Sequence, residues 1–264
     1  MNRKKVLLVL SFGTSAAENR ILTIGAIEEE LAESFPDYEV RRAFTSSRII
    51  DTVQKREGIL IDHTETALKR AVSDCISHLV VQPTHFMKGY EYAKLEKTVR
   101  EYKDRFESVV LSDPLIRDES DYKSLIEAMR SRLSQYEDER TAICLMGHGT
   151  GARANHVYDG IRQKFVQLGF SQYYVGTVEA KPSLNDVLRA VHEGEYERVV
   201  LCPMMIVAGD HAFNDMAGDE DDSWKSVFQK AGYDVVCVME GLGQIPEIRR
   251  LFIARCEEAL EKRV

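Results

Sequence analysis

The chain has 264 residues, of which 43 are Asp or Glu and 35 are Lys or Arg, giving a formal net charge of −8. With 44% hydrophobic and 30% charged residues it has an ordinary globular composition, which excludes disordered and fibrous proteins. The acidic balance argues against general binding to nucleic acids or anionic membranes, which requires a basic face. No apolar run approaches a membrane span, and the short apolar run Val6–Leu10 is too brief for a signal peptide. We therefore expect a cytoplasmic protein.

Short apolar, β-branched runs alternate along the chain with longer segments of helical period. The predicted strands are, in chain order, Val6–Ser11, Glu39–Phe44, Ser77–Gln82, Ser108–Leu111, Ala142–Met146, Tyr173–Val178, Arg198–Cys202 and Asp234–Val238. The predicted helices are Asn19–Ser34, Thr64–Cys75, Tyr92–Arg105, Asp118–Gln135, Ala152–Leu168, Ser183–His192, Ser223–Ala231 and Pro246–Leu260. This alternation is typical of βα units built around parallel sheets. Eight such βα units exceed one open sheet, so the chain forms either a closed barrel or two open halves.

An internal repeat decides between these two architectures. The segment 6–14 resembles 142–150, and the segment 79–91 resembles 199–211, in the same order along the chain. A repeat of half the chain length favours duplicated βα units. We therefore predict an α/β fold of two similar lobes, each a parallel sheet flanked by helices. The N-terminal lobe is predicted at 1–137 and the C-terminal lobe, which carries a metal site, at 138–264.

Three candidate metal ligands follow predicted strands of the second half. His148 lies between two glycines directly after a strand, and Glu179 follows the next strand. His211 lies in a long loop, 208–218, which is unusual among otherwise compact βα turns. Ligands bind at the carboxyl ends of strands in open α/β sheets, so these side chains should share one rim. Two imidazoles and one carboxylate suit zinc, cobalt, nickel or ferrous iron, and three protein ligands leave coordination positions open.

The same region permits a competing interpretation. The run 147–152 matches the G-x-G-x-x-A form of a dinucleotide-binding loop in a strand-to-helix context. An imidazole between the first two glycines would crowd a pyrophosphate, and no acidic residue stands about 20 residues further on. The chain also lacks the G-x-x-x-x-G-K-[ST] motif of P-loop NTPases. Glu179 has an alternative of its own, as a carboxylate that caps the helix beginning near Pro182.

Five segments together resemble the anaerobic sirohydrochlorin cobalt chelatases of cobalamin biosynthesis. They are the Ser-Phe-Gly-Thr run 11–14 and the segments 82–91, 147–150, 178–182 and 209–218. The Gly-Asp-His-Ala-x-Asn-Asp-Met loop is the most specific of them. That family belongs to the class II chelatases, which include ferrochelatase. The resemblance implies a bilobal α/β fold with the tetrapyrrole in the cleft between the lobes. It also implies ATP-independent insertion of cobalt(II) into sirohydrochlorin.

The resemblance also implies roles for particular residues. The family's metal ligands map onto His148, Glu179 and His211, and we expect the first two to act in catalysis as well. Glu91 aligns with His211 in the repeat and is predicted to be a second proton acceptor that faces the metal from the other half. Sirohydrochlorin carries several carboxylates, so the rim needs hydrogen-bond donors. The residues predicted from their positions to bind substrate are Ser11, Phe12, Gly13, Thr14, His85, Lys88, Gly149 and Thr150.

The expected partners are a sirohydrochlorin-type tetrapyrrole and divalent cobalt, without nucleic acid or membrane. No cofactor is expected beyond the metal substrate, and ligand type alone leaves cobalt, iron and nickel open. Two alternative functions therefore remain. One is insertion of iron or nickel into the same tetrapyrrole, and the other is a non-catalytic carrier of tetrapyrrole or metal. The oligomeric state stays open, a homo-oligomer included.

Overall fold

The structure, a computed structural model, describes residues 4–262. Residues 1–3, which are part of the basic start, and residues 263–264 lie outside them. The chain divides into two compact units, one formed by residues up to Arg117 together with those from Pro246 onward, the other by Asp118–Ile245. Within residues 4–262, no helix has both the length and the apolar character needed to cross a membrane.

The first unit is built on a parallel sheet of five strands in the order β3-β2-β1-β4-β5. Its strands are β1 (Lys5–Ser11), β2 (Glu39–Phe44), β3 (Asp62–His63), β4 (His78–Pro83) and β5 (Ser108–Leu111). Its helices are α1 (Ala17–Arg20), α2 (Ala26–Ser34), α3 (Ser47–Glu57), α4 (Thr64–Ser73), α5 (Tyr90–Glu101) and, from the end of the chain, α10 (Pro246–Glu261). A π-helical turn, Ile21–Gly25, joins α1 to α2. The central strands β1 and β4 are buried except at Lys5, which is typical of a parallel sheet with helices on both faces.

The second unit is built on a parallel sheet of four strands in the order β7-β6-β8-β9. Its strands are β6 (Thr141–Gly147), β7 (Tyr173–Thr177), β8 (Arg198–Pro203) and β9 (Asp234–Cys237). Its helices are α6 (Tyr122–Leu133), α7 (His156–Gln167), α8 (Leu184–His192) and α9 (Trp224–Lys230). A π-helical turn, Ala212–Met216, follows β8. One face of the sheet packs against Trp224, Phe228 and Val187, which are all buried.

The strand orders confirm the predicted repeat. The sequence β2-β1-β4-β5 in the first sheet has the same topology as β7-β6-β8-β9 in the second. Both sheets are open, so the barrel alternative is excluded. In each sheet the chain reverses its direction of winding once, between β1 and β4 or between β6 and β8. Such a switch point leaves a crevice at the carboxyl ends of the two strands, which is where α/β proteins bind ligands.

All eight predicted strands are present, and the structure adds a helix and a strand in the segment 47–63. The helix α3 begins at the N-cap Ser46, whose hydroxyl oxygen accepts a hydrogen bond from the Ile49 amide, and it ends at Gly58 with φ +70°. The prediction missed it because only Val53 of this helix is fully buried, so the apolar period is weak. The strand β3 contributes two residues to the sheet and is too short for a sequence pattern.

The units differ from the predicted lobes 1–137 and 138–264 in the placement of two helices. Helix α6, predicted in the N-terminal lobe, belongs to the second unit, and α10, predicted in the C-terminal lobe, belongs to the first. Helix α6 packs with α7 in the second unit, where Tyr122 occupies the space that a Cβ at Gly160 would fill. Helix α10 joins the first unit, since Arg255 donates to the main-chain carbonyls of Pro114 and Leu115 at 3.3 and 3.2 Å. The chain therefore crosses between the units twice, at 117/118 and 245/246.

Candidate metal centre

The three predicted ligands lie together at the carboxyl edge of the second sheet. His148 follows β6, Glu179 follows β7 and His211 follows β8, so the two histidines flank the switch point. One ligand atom from each of the three side chains lies within 4.8 Å of the others. The imidazole centroids are 4.8 Å apart with the rings nearly perpendicular, and His148 Nδ1 lies 3.6 Å from Glu179 Oε2. Donors around an ion at about 2.1 Å are separated by roughly 3–4 Å, so small side-chain rotations suffice to enclose a cation.

The two glycines beside His148 are required by close packing. A Cβ at Gly147 would lie 2.2 Å from Cε1 of the buried Tyr158. Gly149 has φ +88°, and a Cβ there would lie 2.9 Å from the Ala180 amide nitrogen. The Gly149 amide donates to the Tyr158 hydroxyl at 3.2 Å, and burial raises the pKa of Tyr158 to about 12, which keeps that hydroxyl neutral. The loop is therefore held rigidly and leaves the imidazole of His148 exposed.

Glu179 is positioned by main-chain hydrogen bonds to the His148 loop. Its amide donates to the His148 carbonyl at 2.9 Å, and the preceding Val178 amide donates to Gly147 at 3.0 Å. Glu179 does not cap the following helix, because Ser183 is the N-cap of α8 and forms a capping box with Asp186. The carboxylate is half-exposed and directed toward His148. The capping alternative is therefore wrong.

His211 is the N-cap of the π-helical turn after β8 and is paired with a carboxylate. Its Nδ1 lies 2.7 Å from Oδ2 of Asp215, four residues further along the chain. The corresponding partner of His148 is neutral, since Nδ1 of its ring lies 2.9 Å from the Gly149 carbonyl oxygen. Both imidazoles therefore use Nδ1 within the protein and leave Nε2 for a ligand. π-Turns are rare and are frequent at functional sites.

The donor set is balanced for a divalent cation. Glu179 and Asp215 carry two negative charges, and the two imidazoles are neutral ligands when they bind a metal. All four side chains are partly exposed, with fractions between 35% for His211 and 54% for Glu179. Three protein ligands at an open surface leave coordination positions free for water or an incoming ligand. Such a centre can hold a transition metal and release it.

Glu91, the predicted second proton acceptor, belongs to the first unit. It is exposed in the first turn of α5, where a negative charge interacts favourably with the helix N-terminus. Strand β4, which precedes it, has the same topological place as β8, which precedes His211. Glu91 and His211, which align in the repeat, therefore follow equivalent strands of the two sheets.

Several of the predicted substrate-binding hydroxyls already have partners within the chain. The Ser11 hydroxyl oxygen is buried and accepts from the Thr84 hydroxyl at 2.8 Å. The hydroxyl oxygens of Thr14 and Thr150 accept from main-chain amides two residues further on, at 3.2 and 3.1 Å. These three residues shape the loops after β1 and β6. Among the remaining candidates, Phe12 is half-exposed and carries an apolar ring at the carboxyl end of β1.

The other predicted substrate-binding residues fall into two groups. Gly13, with φ +101°, and Gly149 are constrained by packing, since a Cβ at Gly13 would lie 2.6 Å from the Phe44 ring. Lys88 is exposed, forms an ion pair with Asp113 at 2.6 Å and lies above the Tyr92 ring. Both ring nitrogens of His85 are buried without a hydrogen-bond partner among the described residues. Burial lowers the pKa of His85 to about 4, so its imidazole is neutral at physiological pH.

Two residues of the site were missed by the sequence reasoning. Asp215 carries a sequence signal, the i,i+4 spacing from His211 within a loop of helical conformation, which makes the two side chains neighbours. Tyr158 carries no such signal, because its contact with the His148 loop depends on how α7 packs against β6.

Comparison with known proteins places this site in a family context. The family model "Cobalt chelatase (CbiK)" matches residues 5–261. A sirohydrochlorin cobaltochelatase of Salmonella typhimurium is 36% identical over 261 residues, covering 99% of this chain and 98% of the relative. The sirohydrochlorin cobaltochelatase CbiKC of Nitratidesulfovibrio vulgaris is 28% identical, covering 91% and 85%. The solved structure of SirB from Bacillus subtilis with Fe3+ aligns with a TM-score of 0.67 at 16% identity, covering 98% and 97% of the two chains, which is a likeness of fold.

Proposed function

The chain belongs to the cobalt chelatase family, and we propose that it inserts cobalt(II) into sirohydrochlorin without ATP or a nicotinamide cofactor. The observation that carries this proposal is the convergence of His148, Glu179 and His211 at one switch point, with ligand atoms within 4.8 Å. The donors belong to a chain that matches the family model over nearly its whole length. The substrate follows from relatives named for sirohydrochlorin, one of them 36% identical over 99% of the chain.

In the proposed reaction, the protein first binds cobalt as a substrate. Two neutral imidazoles and one carboxylate replace part of its water shell, and the open positions admit the pyrrolic nitrogens one at a time. Glu179 supplies charge that balances the cation, so the ion is held without being buried. Because the side chains are half-exposed, the macrocycle can approach the ion while the protein ligands still hold it.

Insertion must also remove two protons, since the free tetrapyrrole enters with two N–H groups and leaves as the metal complex. The overall change is cobalt(II) plus the tetrapyrrole giving the cobalt complex and two protons, with no oxidation or reduction. We assign one proton to a site ligand as it leaves the metal, either Glu179 or His148. We assign the other to Glu91, which occupies in the first unit the position that His211 occupies in the second.

The first test is removal of each histidine. His148→Ala and His211→Ala should weaken cobalt binding by more than the roughly 10–100-fold that loss of an outer-shell partner costs. Turnover should fall to the uncatalysed level. Isothermal titration with cobalt and absorbance measurements of sirohydrochlorin metallation give the two readouts. His156→Ala is the matched control, because His156 is also exposed and lies at the start of α7. Wild-type turnover in either ligand variant would contradict the assignment.

The second test separates an enzyme from a carrier and ranks the metals. With tetrapyrrole in excess over protein, the proposed chelatase completes many turnovers faster than an uncatalysed control, whereas a carrier binds the same ligands without a gain in rate. Cobalt, ferrous iron and nickel assayed anaerobically in parallel give their relative rates. A clear preference for iron or nickel would contradict cobalt as the substrate and leave the chelatase chemistry intact.

A further inference from the structure

The two histidines of the metal centre differ in what holds their rings. Nδ1 of His211 faces a charged acceptor, Oδ2 of Asp215, at 2.7 Å. Nδ1 of His148 has a neutral acceptor within hydrogen-bond distance, the main-chain carbonyl of Gly149 at 2.9 Å, while the nearest carboxylate oxygen, Oε2 of Glu179, lies further away at 3.6 Å. The Gly149 carbonyl is supplied by the loop itself. The acceptor for His211 is a side chain, so its contribution can be removed by substitution of Asp215.

The geometry determines which nitrogen of each ring can bind a metal. A carboxylate and a carbonyl oxygen can only accept hydrogen bonds, so the neutral imidazole beside each must carry its proton on Nδ1. The lone pair is then on Nε2 in both rings. A ring with the proton on Nε2 has no lone pair to offer there and would have to lose the Nδ1 contact as well.

We propose that Asp215 is a positioning residue that selects the Nδ1–H tautomer of His211, fixes its ring orientation and makes it the stronger imidazole ligand of the pair. This inference rests on the proposed role of His211 as a metal ligand. A charged acceptor at Nδ1 raises the electron density available at Nε2 more than a neutral carbonyl does, which is the general effect of carboxylate–histidine–metal arrangements. The charge of Asp215 also completes the balance between Glu179 and a divalent cation.

The tautomer can be tested without any metal. Long-range proton–nitrogen correlation spectra of ¹⁵N-histidine-labelled, metal-free protein distinguish a protonated from an unprotonated Nε2. In the wild type, the neutral ring of His211 should carry its proton on Nδ1 and none on Nε2. In Asp215→Ala the Nε2-protonated form should become populated, while His148 keeps its wild-type pattern because the Gly149 carbonyl is unchanged. A wild-type His211 whose neutral ring carries its single proton on Nε2 would overturn the proposal whether or not the protein is a chelatase.

Metal binding gives the second readout. Asp215→Ala should weaken cobalt affinity about 10–100-fold by isothermal titration. Asp215→Asn should fall between that variant and the wild type, since an amide oxygen can still accept from Nδ1–H but carries no charge. The matched control is Asp222→Asn, which removes one charge from the exposed segment after the same loop and should leave affinity within about twofold. An equal loss of cobalt affinity in Asp222→Asn would mean that only overall charge affects binding. Wild-type affinity in Asp215→Ala would mean that Asp215 does not position His211 for binding. Either result overturns the proposal.

Failure of this inference and failure of the proposed function give different patterns. If His211→Ala binds cobalt like the wild type, the ligand assignment itself is wrong. If His211→Ala loses cobalt but Asp215→Ala does not, only the role of Asp215 is wrong. Circular dichroism should be unchanged in all of these variants, because both side chains are partly exposed and outside the core.

Discussion

The buried imidazole of His85 should make the protein less stable in mild acid, and removing it should abolish part of that sensitivity. His85 follows β4, and its carbonyl accepts from the Leu115 amide at 2.9 Å, which fixes the loop. Its ring lies edge-on to Tyr92 with centroids 6.3 Å apart, and both nitrogens are buried without a partner among the described residues. Burial lowers the pKa from 6.5 to about 4, because the charged form would lose its hydration.

The sign follows from which state binds the proton. Below pH 6.5 the unfolded chain protonates His85, whereas the folded protein does so only near pH 4. Between these values the unfolded state binds more protons, so the free energy of unfolding falls as the pH falls. Well above pH 6.5 His85 is neutral in both states, so it does not lower the free energy of unfolding there. Integrating the difference gives a loss of about 2 kcal/mol between about pH 7.5 and pH 5.

The assay compares urea unfolding of the wild type and His85→Phe at these two pH values. Phenylalanine keeps a ring beside Tyr92 and cannot titrate, so the variant should lose about 2 kcal/mol less than the wild type on acidification. A constant packing cost cancels, because the comparison is between pH values. His156→Phe, at an exposed position, controls for loss of an imidazole from the unfolded chain. Parallel curves for His85→Phe and the wild type, or an NMR titration of His85 near pH 6.5, would refute the reasoning.

Three further outcomes are expected. Glu91→Gln should leave cobalt affinity nearly unchanged by calorimetry but slow insertion roughly 10²-fold in the metallation assay; an unchanged rate would reduce Glu91 to a surface carboxylate. Gly149→Ala should lower thermal stability by about 1–3 kcal/mol and weaken cobalt binding, because φ +88° and the Ala180 amide leave no room for a Cβ. Arg255→Met should cost about 2–4 kcal/mol in urea unfolding, since it leaves two main-chain carbonyls unpaired, whereas the exposed Arg250→Met should cost less than about 0.5 kcal/mol; equal effects would contradict the role of burial.

Much of the fold could be predicted from local patterns. Apolar β-branched runs and helical periods depend on nearby residues, so all eight predicted strands occur, and the repeat of 6–14 in 142–150 already implied two similar sheets. The grouping of His148, Glu179 and His211 followed as well, because parallel strands bring their carboxyl ends to one edge whatever the loops between them do. Only β3 and α3 were missed among these elements, one for its brevity and one for its weak apolar period.

Other features were decided by the tertiary structure, because they depend on which of several partners a group finds. The sequence places α10 after the second sheet, yet it packs in the first unit, where Arg255 satisfies the carbonyls of Pro114 and Leu115. Likewise, the Ser11 hydroxyl looks free in the sequence, but Thr84 reaches it across 73 residues of chain. A polar group can pair with any of several distant groups in the sequence. Only the packed chain determines which pair forms, because each hydrogen bond makes its donor and acceptor unavailable to other partners. Local pattern therefore determines which segments are strands and where ligands gather, and long-range packing determines which polar groups remain for them.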